Sequence, residues 1–163
     1  HWDDCVDKEN GNFDYLMGAD VDMNNVDVVN ELTNWGNWYL NFTNVDGFRL
    51  DAVKHIRADF FEKWLLTLRN NFHKEIFSVG EYWSTSLDVI IKYLNDVHQS
   101  MSLFDVPLHY NLYKASSSSG NFDMSTIFDN TLVQAYPDKA VTFIDNHDTQ
   151  PRTSIGIMDS AMV

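Results

Sequence analysis

The chain holds 163 residues, 44% of them apolar and 14% aromatic, with a formal net charge of −13. That is enough chain for one domain with a real core, and its acid surplus disfavours nucleic acid and anionic membranes as partners while suiting a neutral substrate or one bound through cations. A single cysteine, Cys5, excludes an internal disulfide, and no apolar run approaches the roughly 20 residues that cross a bilayer.

Residues 1–25 are rich in Asp and Asn, carry Gly11 and Gly18, and show no period, which predicts irregular structure. From Val26 the pattern becomes periodic. Val28, Val29, Leu32, Trp35 and Tyr39 recur at helical spacing and predict a helix over roughly 26–41. Val45 to Leu50 is short and apolar-rich, hence a strand. Phe60, Phe61, Trp64, Leu65, Leu68 and Phe72 mark an amphipathic helix. Ile76 to Val79 is the next strand. Leu87, Ile90, Ile91 and Leu94 mark a further helix, with Ser84 to Ser86 offering a cap. Met101 to Leu108 reads as a strand closed by Pro107, followed by a Ser/Gly loop over 115–121. Asp123 is placed to cap a short helix carrying Met124, Ile127 and Phe128, and Ala140 to Ile144 has the composition of a buried strand. The order is a helix, then strand–helix three times, then a strand. This predicts an α/β fold with a parallel sheet covered by helices.

Carboxylates follow these strands. Asp51 comes after Leu50, Glu81 after Val79-Gly80, and Asp145 and Asp148 after Ile144, while Asp105 lies within the third predicted strand. The carboxyl ends of parallel strands are where α/β folds build their sites. Each acid alone reads more readily as a helix cap or a solvated loop residue. Several in register at strand ends point to chemistry. Two carboxyl groups with separated proton affinities can run glycoside hydrolysis, one ionised as nucleophile and one holding a proton for the leaving oxygen. Arg49 stands two residues before Asp51, so on a strand it faces the same side and can favour that carboxylate's charged form.

Gly47-Phe48-Arg49-Leu50-Asp51-Ala52-Val53-Lys54-His55 resembles the nucleophile-strand motif of the α-amylase family of glycoside hydrolases. Gly80-Glu81-Tyr82-Trp83 resembles its acid/base motif, and Phe143-Ile144-Asp145-Asn146-His147-Asp148 the motif carrying its third carboxylate. The resemblance spans essentially the whole chain, including Trp2-Asp3, Gly11 to Asp22 and Phe104 to Leu108, and is closest to the bacterial liquefying type. It implies part of a (β/α)8 barrel, about strands four to seven. Residues 1–25 would close the domain inserted after strand three, and residues 26–163 would belong to the barrel. It also implies endo-hydrolysis of α-1,4 links in starch-like glucans by a retaining mechanism. A transglycosylase or an exo-acting maltooligosaccharide former on the same machinery is the alternative, and a non-catalytic barrel of the transporter-subunit kind is a third.

By that resemblance Asp51 is the nucleophile, Glu81 the acid/base and Asp148 the stabiliser of the oxocarbenium-like transition state. Arg49, Lys54, His55 and His147 line the substrate, and Trp83 offers either a sugar-stacking face or core packing. The family holds calcium where the inserted domain meets the barrel. Asp3, Asp14, Asp20 and the carbonyl of His55 match its ligands, and Asp22 matches a ligand of a second calcium, with a sodium close by. Asn24 stands where that second site has an aspartate, which removes a charge. Without the family, crowded Asp side chains on an irregular segment read as solvated loops. The expected partner is an α-glucan, with neither nucleic acid nor membrane, and the whole enzyme is expected to be a monomer. With no initiator Met and no leader, the chain reads as a fragment or processed product. Half a barrel is expected to be unstable and inactive alone, and the cellular location stays open between extracellular and cytoplasmic.

Overall fold

A computed structural model describes residues 6–8, 13–14, 18–19 and 21–149, with backbone alone at 13–14 and 18–19. Near the start, β1 (Phe13–Asp14) and β2 (Gly18–Ala19) form a short antiparallel pair, a small exception to the irregular structure expected there. The chain divides into two compact units, residues 1–82 with 93–101, and residues 83–92 with 102–163.

In the first unit, α1 (Val26–Thr43) opens on Asn25, whose side chain accepts from the Asp27 N–H at 3.0 Å. It ends on Asn44, whose left-handed backbone (φ 53°) turns its N–H back to the Leu40 carbonyl. The strand β3 (Gly47–Leu50) pairs in parallel with β4 (Phe77–Gly80), in the register Gly47 to Phe77 through Leu50 to Gly80. Between them runs α2 (Ala58–Phe72), which buries Phe60, Phe61, Trp64, Leu65 and Leu68 along one stripe. Gly36 lets α1 lie close on α2, because a Cβ there would stand 2.8 Å from Trp64 Cζ2. The same indole donates to the Leu32 carbonyl at 3.0 Å, so one Trp joins the two helices by packing and by a hydrogen bond.

The next helix, α3 (Leu87–Asp96), follows a turn in which Ser84 Oγ accepts from the Ser86 N–H at 3.1 Å. In the second unit, β5 (Ser102–Phe104) pairs in parallel with β6 (Ala140–Val141). Between them lie α4 (Val106–Ser117), a 3-10 turn at Met124–Thr126 whose start Asp123 caps, and the short α5 (Leu132–Ala135).

Two expectations are corrected here. Met101 to Leu108 is not one strand. The strand stops at Phe104, and Asp105 caps α4, with Pro107 inside its first turn. Proline is compatible with that position because the first-turn N–H groups have no helical partner. The strand after residue 140 is also shorter than predicted. It ends at Val141, and Ile144 is 54% exposed, so its apolar side chain is not core.

Asp105 shows why the sequence misleads at this point. Its carboxylate is fully buried. Oδ1 accepts from the N–H groups of Leu108 and Leu132, both at 3.1 Å, and Oδ2 from Val133 at 2.8 Å. One side chain therefore caps α4 and, beside Thr131, α5 as well.

Candidate active site

Strand alternation builds the first group of candidate residues. Phe48 and Leu50 point to the helix side, Phe48 packing on Trp64 at 5.2 Å between ring centroids and Leu50 being buried. Arg49 and Asp51 consequently share the opposite face, and the Arg49 Nη1 pairs with Asp51 Oδ1. The parallel register sets Leu50 beside Gly80, so Glu81 follows β4 where Asp51 follows β3. Main-chain bonds lock that arrangement: the Glu81 N–H donates to the Leu50 carbonyl at 2.8 Å, and the Val53 N–H to the Glu81 carbonyl at 3.0 Å.

The Glu81 side chain is 10% exposed, against 67% for Asp51. Arg49 Nη2 reaches Glu81 Oε1 at 3.1 Å, so one guanidinium bridges both carboxylates. Ala52, with a left-handed backbone (φ 46°), donates its N–H to Glu81 Oε2 at 3.2 Å. Burial pushes the Glu81 carboxyl above the usual glutamate range. The Ala52 N–H and Arg49 pull it back, while the neighbouring Asp51 carboxyl pushes it up again. A buried carboxyl of raised proton affinity thus shares Arg49 with an exposed one. That is the separation of acid and nucleophile that glycoside hydrolysis needs. Lys54 and His55 follow in the 3-10 turn Val53–His55, both half-buried.

Trp83, His147 and Asp148 belong to the second unit. Trp83 is half-buried among His109, Tyr110 and Phe143, with ring centroids at 5.9, 6.4 and 6.0 Å, and its Nε1 donates to the Tyr110 hydroxyl at 3.3 Å. The segment from Asp145 to Thr149 is a self-bonded turn. Asn146 Oδ1 accepts from the N–H groups of Asp148 at 2.9 Å and Thr149 at 3.0 Å, and the buried Thr149 hydroxyl donates to Asp145 Oδ1 at 2.6 Å. This holds Asp148 half-buried, with His147 Nε2 at 3.3 Å from Asp148 Oδ2 and the His147 side chain 72% exposed. The turn chemistry was legible as an Asx motif. The Ala52 donor was not, because nothing local marks a left-handed alanine.

Of the residues matched to metal ligands, Asp3 and Asp20 lie outside the described residues, and Asp14 is described in its backbone alone. Asp22 is half-buried and accepts the Asn24 N–H at 2.9 Å. Arg57 Nη1 donates to Asn24 Oδ1 at 2.6 Å. Among the described residues, no cluster of three or more His, Cys, Asp or Glu side chains is placed to hold a metal ion. No helix among them is long and apolar enough to cross a membrane.

A family model described as the α-amylase catalytic domain matches residues 2–161. A glucan 1,4-α-maltohexaosidase of Bacillus sp. (strain 707) is 54% identical over 154 residues, which is 94% of this chain and 30% of that protein. An α-amylase of Geobacillus stearothermophilus is 55% identical over 150 residues, 92% of this chain and 27% of that protein. This chain thus spans about a third or less of the length of these curated relatives. Among solved structures, an Anoxybacillus α-amylase superposes with a TM-score of 0.68 at 20% identity, covering 91% of this chain and 34% of that one.

Proposed function

The chain belongs to the α-amylase catalytic-domain family and folds as part of a (β/α)8 barrel, and on that premise we propose that the protein carrying it hydrolyses internal α-1,4 links of starch-like glucans with retention. The observation that carries this reading is the Arg49 bridge. It pairs with the exposed Asp51 and the buried Glu81 at once, and burial raises the proton affinity of Glu81.

In the first step Asp51 attacks the anomeric carbon while Glu81 gives its proton to the departing glycosidic oxygen. The Asp51–carbon bond forms as the carbon–oxygen bond breaks. In the second step Glu81, now a carboxylate, takes a proton from water, which displaces Asp51. Asp148 faces the positive charge that develops on the sugar, with His147 beside it on the same sugar. Lys54 and His55 line the leaving-group side, and Trp83 the substrate. The substrate is an α-glucan, and the domain division at about residue 25 follows the same reading.

Asp3, Asp14, Asp20, Asp22 and the His55 carbonyl supply oxygen donors only, the set calcium takes. Asp3, Asp14, Asp20 and the His55 carbonyl would hold one calcium that ties residues 1–25 to the rest, and Asp22 belongs to a second site. A second cation at Asp22 and Asn24 meets an obstacle, since the Arg57 guanidinium already occupies the Asn24 oxygen.

The test is to change Asp51→Asn and Glu81→Gln in the whole protein. Starch turnover should fall by about three orders of magnitude or more in each. With α-glucosyl fluoride, whose leaving group needs no proton, only the Asp51 variant should fail at the first step. Retained starch turnover in Asp51→Asn would sink the proposal. The maltohexaosidase among the relatives favours one second reading, exo-acting release of a single oligosaccharide. Product lengths from soluble starch separate the two, because mixed linear oligomers support the endo reading.

A further inference from the structure

We infer that His109 is a positioning residue for the Asp145–Asp148 turn, its Nδ1–H holding the Ile144 carbonyl and so setting the direction in which Asp148 is presented. This rests on the reading of Asp148 as a carboxylate of the reacting site.

His109 lies in the first turn of α4 and is fully buried. Its Nδ1 is 2.7 Å from the Ile144 carbonyl oxygen, across 35 residues of sequence. The same ring lies face to face with Phe143, with centroids 4.8 Å apart and planes within 5°. One imidazole therefore grips two successive residues of the segment that enters the turn. Phe143 packs on Trp83 and Phe104 as well, at 6.0 and 5.5 Å, but the hydrogen bond to Ile144 comes from the imidazole. The ladder of β6 ends at Val141, and the Ile144 side chain is 54% exposed. Beyond Ile144 the turn bonds to itself through Asn146 and Thr149. Those bonds carry the direction of the entering segment on to Asp148.

The tautomer follows from the partner. A carbonyl only accepts, so Nδ1 carries the proton. Nε2 is then a bare acceptor, and it has no hydrogen-bond partner among the described residues. Burial lowers the ring's proton affinity, which keeps it neutral and keeps this tautomer at neutral pH. Packing alone would not call for a histidine, because a Leu or Phe would fill the space without leaving a buried polar nitrogen. Asp105 adds to the anchor from below. It caps α4, and its carbonyl accepts the His109 N–H at 3.1 Å.

The experiment compares three variants in the whole protein. His109→Phe keeps a ring against Phe143 and removes the donor, His109→Leu removes both, and His109→Asn places an amide N–H where Nδ1–H stood. Each is assayed for kcat and KM on soluble starch and for thermal unfolding, with Asp148→Asn alongside. A misplaced carboxylate of this kind costs about 10- to 100-fold, so His109→Phe and His109→Leu should lose that much in kcat with KM little changed. His109→Asn should recover most of it even if less stable, which a purely structural role would not produce. Equal kcat in the variants with and without the donor overturns the inference. If Asp148→Asn is inactive while His109→Phe is unimpaired, the inference fails and the site reading stands. Full activity in Asp148→Asn removes the site reading itself.

Discussion

Asp105 offers the sharpest test of how the second unit is held together. Its carboxylate is wholly buried and accepts from three backbone N–H groups, at Leu108, Leu132 and Val133. Hydrogen bonds to a charged acceptor contribute about 1.5–3 kcal/mol each, and an orphaned buried donor costs about 1–3 kcal/mol. Changing Asp105→Ala strands all three donors, uncaps α4 and leaves α5 with Thr131 alone, although water entering the vacated space offsets part of the loss. The net destabilisation should be about 4 kcal/mol. Asp105→Asn has the same shape. Its carbonyl can keep the two bonds made by Oδ1, but its amide faces the Val133 N–H, so it should cost about half as much. Unfolding of the whole protein in urea gives the magnitude. Amide hydrogen exchange at Leu132 and Val133 gives the location, since those protons should exchange much faster in the Ala variant. A loss below about 1 kcal/mol, or unchanged exchange at Val133 in both variants, would refute the double-cap argument.

Other outcomes follow from the same geometry. Gly47→Ala would set a Cβ 2.3 Å from the Phe77 carbonyl oxygen. Backbone cannot swing aside there, so β3–β4 pairing should weaken by about 2–3 kcal/mol, and a change under about 0.5 kcal/mol by urea unfolding would contradict it. Arg49 pulls the Glu81 proton affinity down, so Arg49→Gln should move the alkaline limb of kcat/KM, where the acid is lost, to higher pH while lowering the rate; a shift to lower pH would exclude Glu81 as the acid. Burial depresses the His109 value. Its contribution to stability is present above the unfolded value of about 6.5 and is lost as pH falls through the folded value. His109→Phe should therefore unfold with a shallower acid dependence than the parent, as read by thermal scans across that range. Chelation should lower the unfolding temperature and a single equivalent of calcium restore it. Tight binding of two equivalents would overturn the argument from the Arg57–Asn24 contact.

Much of the site was legible locally. Arg49 and Asp51 share a face because strand side chains alternate, and they pair as that period requires. Glu81 and Asp51 meet because two apolar segments, each followed by an acid, pair in parallel. The helices expected from apolar spacing over roughly 26–41 and along Phe60 to Phe72 are found at 26–43 and 58–72. Where the sequence pattern failed, the deciding partner lay far along the chain. Asp105 and Pro107 read as the end of a strand, but the N–H groups of Leu132 and Val133, 27 and 28 residues away, make Asp105 the cap of two helices. Ile144 reads as core by its side chain, yet it is the Ile144 carbonyl that is engaged, by a histidine 35 residues upstream. The left-handed Ala52 and its bond to Glu81 carry no local mark either. Period and adjacency depend on neighbours in sequence and determine which residues share a face. Proton affinity, capping and the orientation of Asp148 depend on burial and on partners that only the folded chain brings within hydrogen-bond reach.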